Sequence, residues 1–394
     1  MKKILFIHHA AGWGGAPKCM INLINNLDQS KYEFEVLLLK KSKIEEKLFE
    51  NGIKFKVAES KFYHIFYRFF AHSEAGYVKW YNIYSFIVCG ISWLLSRYIF
   101  AKIELNKLDF DIVHLNSSVL TDWLAPSSKK GKVIIHIREP FRKGKIDILH
   151  YYFRFQIRKY ADKVVAISRD NAHRLNLPAI TEVIYDFSEI PEILPLENSY
   201  ASKKVLYLGG SSTSKGFYTM VEALDYLDRD VKVYFAGHYN ICPKSKNPFG
   251  LLKYYLSNAR KRNIAIYKMK NHPNAILIGL IYNVSDYIKE VCCLVSPFFV
   301  PHFSFPVVES HLHSKPVIGS DVSGMEEIIQ DKINGFLFPK NKPIKLAKAI
   351  NALTKDELKA NRMGKAGYKR AVGCYSKKNK VNFEMVYDAL VDNK

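Results

Sequence analysis

The segment Gly210-Ser211-Ser212-Thr213-Ser214-Lys215-Gly216 joins a run of hydroxyls to one cation between two glycines. An apolar run, KVLYL, precedes it, and a stretch with helical spacing, FYTMVEALDYL, follows. Glycines allow close approach of the backbone, and the start of a helix offers N–H groups to an anion, so the chemistry indicated is phosphate binding. A second glycine loop, with Gly14 and Gly15, sits in the same relation to the first apolar run, KKILFIHH. Neither loop has the GxGxxG spacing with a following acid, and neither is GxxxxGK[ST], so the dinucleotide and P-loop fingerprints are excluded.

Three further groups carry chemistry. Glu309 is the one acid of VVESHLHS, a short helical stretch followed by an apolar strand and a loop of small residues, KPVIGSDVSG. His136, Arg138 and Glu139 end the apolar run of KVIIHIREP, and His114 ends another in DIVHLNSS. Polar residues at the C-terminal ends of parallel strands are where α/β sheets keep ligands, which makes His136 a candidate for catalysis and leaves His8 and His9 as core residues. The Asp109–Asp111 triplet DFD precedes a strand rather than ending one and reads as solvated. Six scattered cysteines show no metal-ligand spacing, so no metal site is expected, and a reducing compartment fits.

These residues need a scaffold, and the pattern supplies one. Strand-like runs alternate with helical ones from KKILFIHH through YEFEVLLLK, FDIVHLNS, KVIIHIRE and KVVAIS. Buried runs joined by helices indicate parallel sheets covered on both faces. Asp186–Lys204 holds two prolines without a sustained period and reads as a linker, after which the alternation restarts at KVLYLGG. The expected organisation is a domain over 1–190, a second over 203–375, and a C-terminal helix over 376–394 packing back toward the first.

With 394 residues the chain exceeds what one core usually serves. Its hydrophobic (48%) and charged (24%) shares are ordinary, but the net charge of +22 calls for an anionic partner. The region Phe62–Lys102 interleaves aromatics with Lys61, Arg68, Lys79, Arg97 and Lys102, which suits the headgroup region of an anionic membrane. Its Ile83–Ala101 run is nearly long enough to span a bilayer, but Arg97 interrupts it, and a buried or interfacial helix is expected. The N-terminal apolar run is too short for a signal peptide and passes straight into the glycine loop.

The ordered set of an N-terminal GG loop, GGSSTSKG, and E…KPVIGSDVSGMEEII…NGFLFP resembles the retaining glycosyltransferases of family 4, of the type found in bacterial polysaccharide biosynthesis. The resemblance covers essentially the whole chain and is strongest from Val205 to Pro339. It implies the GT-B fold, with two Rossmann-like domains facing each other across a cleft. The N-terminal domain takes the acceptor and the C-terminal domain the nucleotide-sugar. Glu309 is similar to the second Glu of the E-x7-E motif, which binds the donor's ribose hydroxyls. The resemblance further implies donor contacts at Gly14, Gly15, Gly210, Ser211, Ser212 and Lys215, and at His302, Phe303 and Ser304 ahead of the acid. His136 matches the histidine that approaches the donor sugar, with Arg138 and Glu139 around it. Two positions depart: Pro301 stands where the first Glu would fall, and Gly210 where the family has Arg, leaving Lys215 as the diphosphate cation.

Implied with this are transfer with retention, no cofactor or metal, and a glycan or polyprenyl-linked acceptor in capsule or lipopolysaccharide synthesis. A cytoplasmic, peripheral position on the inner face of the cell membrane follows. Two rivals stay open: a nucleic-acid-binding α/β protein, for which no recognition module is present, and a nucleotide-sugar enzyme such as an epimerase.

Overall fold

The computed structural model describes residues 1–9, 12–144, 146–191, 199–244, 247–281 and 283–391. The chain divides into two compact units, Met1–Ser188 with Tyr375–Lys394, and Glu189–Cys374.

The strands of unit 1 are β1 (Lys2–His8), β2 (Tyr32–Leu38), β3 (Phe55–Val57), β4 (His72–Ser73), β5 (Gly76–Tyr77), β6 (Ile112–Leu115), β7 (Lys132–Ile137), β8 (Lys163–Ala166) and β9 (Thr181–Val183). β4 and β5 form a small antiparallel hairpin. The rest make a parallel sheet in the order β3-β2-β1-β6-β7-β8-β9. Side chains alternate across it, so Leu5 and Ile7 enter one core while Ile4 and Phe6 enter the other. Both faces are covered, which is why the strands read as unbroken apolar runs.

Part of one cover comes from the far end of the chain. The helix Lys380–Val391 lays Phe383, Val386, Tyr387 and Leu390 against Ile4, Phe6 and Ile134. Asp388 ties it down, accepting from Lys2 at 3.0 Å and from the Tyr32 hydroxyl at 2.6 Å. Where the chain leaves and re-enters unit 1, Ser188 bridges Ser376 in parallel and the Ser188 N–H donates to the Tyr375 carbonyl at 3.2 Å.

Unit 2 holds β10 (Lys204–Tyr207), β11 (Lys232–Ala236), β12 (Ala275–Gly279), β13 (Cys293–Ser296), β14 (Val317–Asp321) and β15 (Gly335–Pro339), all parallel, in the order β12-β11-β10-β13-β14-β15. In each unit the first strand is central and the order runs outward to both sides. The loops after such a strand and its neighbour across the reversal flank a crevice at the C-terminal strand ends.

Glu309 lies in the second turn of the helix Phe305–Leu312. The apolar run from Ile83 is one long helical rod, Ile83–Leu95, a π turn at Ser96–Phe100, and Ala101–Leu105. Arg97 on it is buried rather than a surface cation, its guanidinium lying 5.0 Å from the ring centroids of both Trp93 and Tyr160. Much of the Asp186–Lys204 linker, residues 192–198, lies outside the described residues. Two helices absent from the pattern reading, Pro248–Leu256 and Asn258–Lys270, also belong to unit 2.

Candidate donor site

Three loops of unit 2 converge beyond the C-terminal ends of β10, β13 and β14. The first is the Gly209–Gly216 loop. Gly210 has φ +53° and Gly216 φ +75°, and a Cβ on Gly216 would stand 1.7 Å from the Pro297 carbonyl oxygen. Glycine at Gly216 is therefore required twice over, by conformation and by space. Under the loop, the Tyr207 hydroxyl reaches the carbonyls of Gly210 (3.2 Å) and Lys215 (3.3 Å). The Ser211 N–H donates to the His238 carbonyl at 3.2 Å, and the Ser212 and Ser214 hydroxyls bond each other at 2.9 Å.

The second loop, Pro297–Ser304, is sewn to the first by the Phe299 N–H, which donates to the Ser214 carbonyl at 2.9 Å. The third, after β14, joins through the His302 N–H, which donates to the Ser323 carbonyl at 2.9 Å, and the Ser320 hydroxyl, which donates to the Phe298 carbonyl. Gly324, at φ +89°, passes close behind, where a Cβ would stand 3.1 Å from the His302 carbonyl oxygen. The three loops thus form one bonded surface.

On that surface Lys215 is exposed, while crowding by neighbouring atoms lowers its ammonium below the usual lysine value. Among the described residues no carboxylate lies within ion-pair distance of it. A lysine that gives up hydration without gaining a counter-ion is suited to an external anion. His302 is half-buried, and burial, with the Lys215 charge second, pushes its ring down to about 3. Glu309 is buried, with its carbonyl receiving the His313 N–H at 3.1 Å. Phe303 and Ser304 are buried too, and the Ser304 hydroxyl accepts from Ser296 at 3.2 Å.

Unit 1 places its candidates differently. His136 is fully buried, Nδ1 3.1 Å from His114 Nε2, while His114 Nδ1 lies 2.8 Å from the Tyr387 hydroxyl. The Phe383 ring closes over it at 5.7 Å. This bonded chain lies in the core beneath the C-terminal helix, so His136 does not face a ligand. Arg138 is buried, its Nη1 donating to both Asp186 carboxylate oxygens at 2.8 and 2.6 Å, with Nε on Asn116 Oδ1 at 2.9 Å. Glu139 receives the Ser117 hydroxyl at 2.7 Å and the Ser118 N–H at 3.1 Å, capping the helical segment Ser118–Trp123. His136, Arg138 and Glu139 are thus a scaffold at the strand ends in this structure. Unfilled capacity remains: Arg138 Nη2 and His8 Nε2 are buried without partners among the described residues.

Gly14 caps the helix Gly15–Asn26 in an extended conformation, and a Cβ there would meet nothing. Its fold does not require glycine. Asp109 is ion-paired to Lys3, and Asp111 accepts the Lys3 N–H at 3.0 Å, at the N-terminal ends of β1 and β6. Both acids are occupied, at the end of the sheet away from the loops.

Residues 194–370 match the family model described as glycosyl transferases group 1. A curated relative, an uncharacterized glycosyltransferase of Methanocaldococcus jannaschii, is 25% identical over 313 residues, 77% of this chain and 82% of its own length. Among solved structures, HepE of Anabaena in complex with UDP and glucose superposes with a TM-score of 0.74 at 16% identity, covering 99% of this chain and all of that one. TarM of S. aureus, in complex with fondaparinux, alpha-GlcNAc-glycerol and UDP, gives 0.70 at 14% identity over 97% and 98%. Residues 194–370 thus resemble the group 1 glycosyl transferases, the curated relative carries the same likeness over most of the chain, and the architecture is the GT-B fold.

Proposed function

We propose that the chain transfers a sugar, with retention of configuration and without a metal, from a nucleoside diphosphate sugar to a glycan or lipid-linked glycan. The observation that carries this is Lys215, an exposed cation without a carboxylate on a surface of three bonded glycine- and serine-rich loops. Charge develops on the diphosphate as the glycosidic C–O bond breaks, and a preorganised cation with amide and hydroxyl donors stabilises it. Lys215 and the Ser211–Ser214 segment take that role, and Glu309 holds the ribose hydroxyls by charge-assisted hydrogen bonds. Among the described residues no carboxylate lies within ion-pair distance of Lys215. In this reading the acceptor hydroxyl enters on the face the diphosphate leaves, and a diphosphate oxygen takes its proton.

UDP is the donor nucleotide to test first, since HepE and TarM were both solved with it. An acceptor in cell-surface polysaccharide synthesis, presented at the inner face of the membrane, fits the basic charge of +22. The test is to incubate the protein with UDP-, GDP- and ADP-sugars, with and without EDTA, and to read the anomeric configuration of the product by NMR. An inverted product would overturn retention, and EDTA inhibition reversed by added metal would overturn metal independence. Interconversion of donor sugars without transfer would make the chain an epimerase.

A further inference from the structure

The rod Ile83–Leu105 is 23 residues long and apolar enough to cross a bilayer, yet only 22% of its most apolar window is buried. It is fastened along one side. Trp93, Arg97, Ala101 and Leu105, one turn apart, are buried. The Trp93 indole donates to the Thr121 hydroxyl at 3.0 Å, Ser96 bonds the Tyr63 hydroxyl at 3.0 Å, and Glu104 accepts the Ser60 N–H at 2.8 Å. A rod bonded to its unit along four turns, with Arg97 and Glu104 on the bonded side, lies along a membrane rather than through it.

The opposite side is bare. Tyr84, Ile87, Ile91, Leu94 and Tyr98 recur at spacings of three and four residues, and all are exposed. The helix Ile148–Tyr160 lies alongside, with Tyr152 5.9 Å from Trp93, and presents Ile148, Tyr151 and Phe155 in the same rhythm. Trp80, 76% exposed, extends the face at the start of the rod. An apolar face this continuous on one unit marks an interaction site.

Its charge identifies the occupant. No Asp or Glu occurs from Lys79 to Ile103 or from Ile148 to Ala161. The cations border the apolar stripe with their ammonium groups over its rings: Lys79 Nζ 5.4 Å from the Tyr81 centroid, Lys102 Nζ 5.9 Å from Tyr98, Lys159 Nζ 5.8 Å from Phe155. A second copy of this face would set cation against cation. Tyrosine hydroxyls and lysines around aliphatic side chains match a headgroup layer over acyl chains. We propose that this two-helix face of unit 1 docks in the plane of an anionic lipid bilayer. It deepens the reading of a membrane-presented acceptor and rests on that reading for its purpose, though not for its binding.

The test uses the full chain without substrate, sedimented with vesicles of phosphatidylglycerol and phosphatidylcholine or of phosphatidylcholine alone, at low and high salt. Binding is expected to the anionic vesicles and to weaken with salt. The variant Trp80→Ser/Tyr84→Ser/Phe155→Ser, and separately Lys79→Glu/Lys159→Glu, are each expected to weaken it by about tenfold or more. A control on a basic helix of unit 2, Ile264→Ser/Tyr267→Ser, is expected to leave it unchanged; both residues are exposed. Failure to bind anionic vesicles at low salt overturns the proposal. So does equal binding to phosphatidylcholine, an equal loss in the control, or a self-association that the aromatic variant abolishes. UDP binding measured on the same variants separates a failure of this surface from a failure of the donor site.

Discussion

The imidazole of His302 lies flat on the ring of Phe298, with centroids 3.9 Å apart and planes 13° apart. Burial, helped by the neighbouring Lys215 charge, pushes its pKa down to about 3, so the ring is neutral between pH 5 and 8. One ring nitrogen can then accept and the other donate. His302→Phe should lower donor affinity about tenfold, the worth of one hydrogen bond. The pH profile of kcat/KM between 5 and 8 should keep its shape, because His302 exchanges no proton there. Loss of an ionisation in that window on substitution would show the ring to be charged.

Acid should undo the two units in order. In unit 1, burial first of all lowers His8, His9, His72, His114 and His136. In unit 2 it does so for His272, His302 and His311. A histidine held neutral in the fold binds a proton on unfolding, so stability is full above the ordinary value near 6.5 and falls as pH drops below it. Unit 1 carries more such groups, three of them near the buried Arg138. All four tryptophans, Trp13, Trp80, Trp93 and Trp123, lie in unit 1. Tryptophan fluorescence should therefore change at higher pH than the far-UV circular dichroism of the whole chain; coincident transitions would disprove the order.

Lys315 gives a slope of the same sign at the alkaline end. It is fully buried against the Tyr200 ring, 4.5 Å from its centroid, and donates to the Ser199 hydroxyl. Burial lowers it to about 8, with the Cys292 and Cys293 thiols acting the other way. Between about 8 and the ordinary lysine value the unfolded chain holds a proton that the folded chain lacks, so this group's contribution rises with pH there. Below that window the full cost of burying the charge remains. Lys315→Met should stabilise unit 2 by roughly 1–3 kcal/mol at pH 7, with the gain shrinking toward pH 10. Urea unfolding at the two pH values decides it: a gain that grows with pH contradicts the assignment.

Glu309→Gln keeps the size of the side chain and removes its charge. If the carboxylate holds ribose, nucleotide affinity should fall by about 1.5–3 kcal/mol by calorimetry, the range for hydrogen bonds to charged groups. Unchanged affinity in a folded variant would leave Glu309 as a structural residue of its helix.

The sheets are legible in the sequence because covering both faces demands runs such as Ile4–Ile7 and Val133–Ile137. The glycine loop is legible because φ at Gly210 and Gly216 leaves little other choice of residue. What the text alone conceals is direction. His136 and Arg138 stand at a strand end, as a ligand site requires, but His136 turns under a helix that begins 244 positions later, at Lys380. Arg97 looks like a surface cation until Trp93 and Tyr160 enclose it. The Ile148–Tyr160 helix reveals its bare aromatic stripe only once the rod from Ile83 is seen beside it.

The helix that completes the core of unit 1 follows unit 2 in the chain and leaves the ribosome after it. Throughout synthesis of unit 2, Phe6, His114 and Ile134 wait without Phe383 and Tyr387. During that interval the nascent sheet is open on one side, a target for chaperones and for misassembly. Synthesis stopped before Lys380 should yield a chain whose unit 2 resists protease while unit 1 is digested. A premature stop there would silence the enzyme although every residue of the candidate donor site had been made.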